Sequence, residues 1–101
     1  MPDTREASQR NLMEVFNSVV AESKGKIKIE ATYPRWDEQL DAATLTPRLH
    51  FFLLGNAKPQ YIQFGRPLFD DCANEHHTED LARAEDIIRR KLDSLIQDSH
   101  L

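Results

Sequence analysis

The densest gathering of side chains able to hold a metal or move a proton is Asp70-Asp71-Cys72-Ala73-Asn74-Glu75-His76-His77-Thr78-Glu79-Asp80. Thiolate, imidazole and carboxylate are the ligand types of zinc and related transition ions. The spacing works against such a site. Adjacent His76 and His77 project in different directions on any regular element, and His50 and His100 offer no obvious second pair of ligands. The stretch therefore reads as a polar turn entering the acidic start of a helix, with no metal and no cofactor. A Cys72–His76 nucleophile is weaker still, because a catalytic pair must be held in hydrogen-bond reach by rigid elements and both residues lie in one short segment. A lone cysteine is more often simply packed. Gly25, Gly55 and Gly65 stand too far apart for a phosphate-cradling loop. His50 falls inside an apolar run, where a histidine ordinarily has a structural role. The absence of a catalytic constellation weighs against an enzyme.

At 101 residues the chain suits one domain, 1–101, with a single modest core. A charge of -4 and a pI near 5.5 oppose generic polyanion binding, which draws its affinity from Lys and Arg displacing counterions. Cys72 is the only cysteine, so no intrachain disulfide can form, and a reducing, cytoplasmic setting is the expectation. The first ten residues hold no apolar core of a signal peptide, and no eighteen-residue apolar run occurs. Neither a membrane span nor a membrane partner is expected.

Elements that could position these groups follow from periodicity. Asp3 with Glu6 three residues on forms a capping arrangement that places a helix start near Thr4. Leu12, Met13, Phe16, Val19 and Val20 then recur at helical steps, and Gly25 supplies the stop. From Ile27 the period is two, with Ile29, Ala31 and Tyr33 on one side and Lys28, Glu30 and Thr32 on the other. This predicts a half-exposed strand ended by Pro34. Residues 35–46 read as a loop with one helical turn. Leu49 to Leu54 is apolar on both alternating faces and reads as the central strand. Gln60 to Phe64 follows as a third strand, across a hairpin turn through Asn56, Lys58 and Pro59. Gly65, Pro67, Asp70 and Asp71 open a polar connection. Thr78 to Gln97 then repeats Leu81, Ala84, Ile88, Leu92 and Leu95 on one face, with acid-before-base pairs Glu79–Arg83, Glu85–Arg89 and Asp86–Arg90 on the other.

The expected fold is α+β in the order α-β-β-β-α, a three-stranded antiparallel meander with both helices packed on one face. Helix-strand-strand-strand-helix is also the element order of the double-stranded RNA-binding domain, and the resemblance is one of order only. That family grips phosphates with lysines at the start of its second helix, where this chain has His76-His77-Thr78-Glu79-Asp80, so nucleic acid is not the expected partner. Because helices cover one face and the Phe51-Phe52 strand is apolar on both, the second face calls for a cover. Either the Trp36 segment or another subunit supplies it, which motivates a homodimer.

The function these features favour is a non-enzymatic protein-interaction module of the adaptor, inhibitor, immunity or chaperone type, binding another protein through Tyr33, Arg35 and Trp36. The competing expectation for Trp36 is that it lids the core. The alternative class is a small-molecule binder or minor enzyme with a pocket between sheet and helices or at a dimer interface. Its polar groups would be His50, Tyr61 and Arg66, together with the His76-His77 turn.

Overall fold

The computed structural model describes residues 4–30, 35–37 and 47–98. Helix α1 spans Thr4–Glu22, and Leu12, Phe16 and Val19 are the positions it buries. It ends in a turn where Lys24 and Gly25 both take positive φ, 55° and 88°. Gly25 carries this left-handed backbone without the steric cost that Lys24 meets. Asp3, the expected cap, lies outside the described residues.

Three strands, β1 (Arg35–Asp37), β2 (Arg48–Phe51) and β3 (Gln60–Gln63), form an antiparallel sheet in the order β1-β2-β3. The register sets Arg35 opposite His50 and Trp36 opposite Leu49 on one side of β2. On its other side His50 stands opposite Tyr61 and Leu49 opposite Ile62. The meander expected from the sequence is therefore present, but its first strand is not where period two placed it. Of the Ile27–Tyr33 stretch, Ile29 makes an isolated bridge to Leu53, Glu30 N–H donates to Phe52 O and Leu54 N–H donates to Lys28 O. Residues 31–34 lie outside the described residues. Arg35–Asp37, read as loop, is the strand. Six residues separate Ile29 from Arg35, whereas three separate their partners His50 and Leu53, so the pairing changes register between the two contacts. A register change carries no signature in composition, and alternation alone assigned the strand to the more regular stretch.

A second difference follows β3. The expected polar connection holds a short helix, α2 (Arg66–Asp71), which buries Phe69. Pro67 does not break it, because in a first turn the missing N–H is one that has no helical partner anyway. Helix α3 then runs Thr78–Asp98. On its outer side Glu85–Arg89 and Asp86–Arg90 form as the spacing predicts, at 2.8 and 3.0 Å, while Arg83 reaches Asp80 at 4.0 Å. Arg89 also bridges to Glu22 of α1, and its two carboxylate partners hold the guanidinium pKa above its ordinary value.

α1 and α3 bury their apolar stripes, Leu12, Phe16 and Val19 with Ala84, Ile88 and Leu92, in one core with the inner face of the sheet, Leu49, Phe51, Ile62 and Phe64. Phe16 and Phe51 meet at 5.2 Å between ring centroids, tilted by 55°, within the favourable range for aromatic pairs. Asn11 fastens α1 to α2: its Nδ2 donates to the carbonyl of Cys72 at 2.8 Å and reaches that of Ala73 at 3.4 Å. Those carbonyls end α2 and have no helical N–H to accept from, so the side chain replaces the missing turn.

Candidate binding face

Alternation along β2 sends Leu49 and Phe51 inward and Arg48, His50 and Phe52 outward. The cross-strand register then lines up Arg35, His50 and Tyr61 as one row on the outer face, with Arg48 and Gln63 in the next. These side chains stack along the sheet. The His50 and Tyr61 rings lie 4.6 Å apart and within 19° of parallel. The Arg48 guanidinium sits 4.7 Å from the Tyr61 centroid, and Phe52 packs on His50 at 5.0 Å. Tyr61 is thus in contact with both a cation and an imidazole. Cation–π attraction and ring stacking contribute to this order, each about 0.5 kcal/mol at a partly exposed site. Tyr61 remains 38% exposed.

Three of the residues singled out in the sequence, Arg35, His50 and Tyr61, are therefore brought together, although they came from two separate expectations. The others go elsewhere. Trp36 faces the interior: its Nε1–H donates to the Gln9 carbonyl of α1 at 3.3 Å, and its ring meets Phe64 at 5.8 Å and Phe69 at 5.4 Å. It clips the sheet edge to α1 and α2. Arg66 lies on α2 and pairs with Asp70 at 3.7 Å. Tyr33 lies outside the described residues. Arg48 and Phe52 were missed, and their signal was period two itself, since positions 48, 50 and 52 must share a face once the strand is recognised.

In the Asp70–Asp80 segment, one ligand atom each of Asp71, His77 and Asp80 lie within 4.8 Å of one another. The imidazole is already engaged on both sides. Nδ1 lies 3.1 Å from the Asp71 carbonyl and Nε2 lies 3.5 Å from Asn74 Nδ2, an arrangement that assigns the proton to Nδ1. Asn74 Oδ1 accepts from the His76 N–H at 2.9 Å, closing a polar turn ahead of α3. A hollow of about 540 Å³ runs beside this turn, lined by Arg10, Asn11, Asp71, Asn74, His76 and His77 among others, and His50, Tyr61 and Arg66 are not in its lining. Cys72 is buried, and burial together with the charges of Asp80 and Asp71 pushes its thiol up to about 11. At neutral pH it is a protonated thiol, the inert form. Comparison with known proteins finds no matching family model, no similar curated protein and no similar solved structure.

Proposed function

We propose that this chain is a non-enzymatic interaction module that binds another protein through the outer face of its sheet, with Arg35, Arg48, His50 and Tyr61 as the contact residues. The observation that carries this reading is the contact of Tyr61 with both Arg48 and His50. Tyr and Arg are the side chains that most often dominate binding energy, and two of them held in place before binding lose less rotamer freedom on contact. Arg35 and Arg48 make the face complementary to carboxylates. An acidic surface of another protein is the occupant such charge suits.

The test is affinity capture of the tagged chain from its source lysate beside two variants. Arg48→Ala/Tyr61→Ala should lose the captured partner, and Asp71→Asn, at the opposite turn, should keep it. Equal capture by all three would defeat the reading. Light scattering over a concentration series reports any self-association separately.

A further inference from the structure

Four of the chain's five lysines, Lys24, Lys26, Lys28 and Lys58, fall on the turn after α1, the stretch that bridges to Leu53, and the β2–β3 hairpin, and all four are exposed. Between them stands the most exposed large apolar side chain among the described residues, Leu54 at 58%. Lys28 and Leu54 are neighbours across the strands, joined by the Leu54 N–H to Lys28 O bond of 2.8 Å. Leu54 stands at the hairpin turn, where Gly55 takes φ +80 and Asn56 N–H donates to the Leu53 carbonyl. Behind it an apolar groove of about 260 Å³ is lined by Ile27, Leu53, Leu54, Leu95 and Ile96, with Lys26 and Lys28 at its rim. A second hollow continues from Lys26, Ile27 and Ile96 to Lys24. The nearby Glu22 carboxylate is bound to Arg89.

We infer that this end of the molecule docks on an anionic lipid bilayer, Leu54 entering the interface and the lysines meeting lipid phosphates and carboxylates. The argument is charge complementarity. The protein is acidic as a whole, yet four of its five lysines are gathered at the end where α1 and α3 finish, where they outnumber the carboxylates Glu30 and Asp93 and where Glu22 is bound to Arg89, while Asp70, Asp71, Glu75, Glu79 and Asp80 stand at the end where α3 begins. Lysines beside helix C-termini also complement the helix dipoles, and that role needs no leucine projecting among them. An exposed leucine with Lys26 and Lys28 lining the same groove matches a surface that is apolar beneath a layer of negative charge. The sequence expectation of no membrane partner rested on the lack of a long apolar run. That bears on crossing a bilayer, and no helix among the described residues is long and apolar enough to cross one. Lying against a bilayer needs no such helix. The inference is independent of the protein-binding face, whose contact residues are different.

Cosedimentation with phosphatidylcholine vesicles, with and without a minority of phosphatidylglycerol, tests it on the full chain. Binding should require phosphatidylglycerol and fall with added salt. Lys26→Glu/Lys28→Glu should lower partitioning at least about tenfold, and Leu54→Ser should lower it several-fold, because each lysine near an anionic surface is worth about fivefold. All three substituted side chains are exposed, and an unchanged thermal melt confirms that each variant folds. No cosedimentation in low salt, or cosedimentation that ignores phosphatidylglycerol or survives the lysine reversal, would overturn the inference. If vesicles fail to bind while the lysine reversal abolishes capture of a protein partner, that partner takes this end and the bilayer assignment falls.

Discussion

Strand β2 separates two surfaces built from the same few residues in different ways. Its inner side, Leu49 and Phe51, is fully buried against α1 and α3 and is held by apolar area removed from water. Its outer side, Arg48, His50 and Phe52, is half-buried and ordered by stacking on Tyr61 and by a cation over a ring. Neighbouring residues therefore serve different ends. The inner set specifies a fold, because close-packed side chains tolerate little change. The outer set arranges polar rims at little cost to stability, which leaves it available for recognition.

The largest expected effect comes from exchanging one face for the other at adjacent positions. Phe51→Ala should cost about 3–5 kcal/mol in urea unfolding, the range for truncating a buried phenylalanine, while Phe52→Ala should cost less than half as much. Equal costs would break the distinction between the two faces. Cys72 marks how far the dry interior extends. In the folded protein its thiol is pushed up to about 11, whereas an unfolded chain releases the proton near the ordinary thiol value. Below that value both states hold the proton and stability is unaffected. Between about 9 and 11 only the unfolded state loses it, so stability falls as pH rises, by on the order of 2 kcal/mol. Cys72→Ala should flatten this slope, and an unchanged slope would show that Cys72 is not its source.

Asn11→Ala sharpens the comparison on the helix side. It strips the carbonyls that end α2 of their donor and should cost about 1–2 kcal/mol, whereas Asn11→Asp, which brings acceptors instead of donors, should restore none of it. The smallest stability effect belongs to the outer face. Tyr61→Ala should lower stability by about 1 kcal/mol or less, with unchanged far-UV circular dichroism, so that any lost capture reports on binding rather than on folding.

Periodicity made the two long helices legible, since three- and four-residue steps of apolar groups admit few other readings and Gly25 marks where α1 must stop. Local alternation also made the central and third strands legible, and with them the antiparallel meander. Residues 35–37 were not legible as a strand, because their pairing depends on a register change relative to Ile29 that no local pattern records. The two roles of Trp36 could not be separated in the sequence for the same kind of reason. Tryptophan is equally suited to a core lid or an exposed anchor, and only the register opposite Leu49 turns it toward Gln9, Phe64 and Phe69.

Residue types and spacing by themselves thus determined the two long helices, the central and third strands and the buried stripes, because each is a property of neighbours along the chain. Tertiary structure decided which distant residues share a surface. Arg35, Arg48, His50 and Tyr61 come from three strands, and their shared face exists only through hydrogen-bonded register, a relation between segments far apart in sequence. The gathering of four lysines at the end that carries Leu54 has the same origin, since chain reversal at the β2–β3 hairpin brings Lys58 to the end where Lys24, Lys26 and Lys28 already stand.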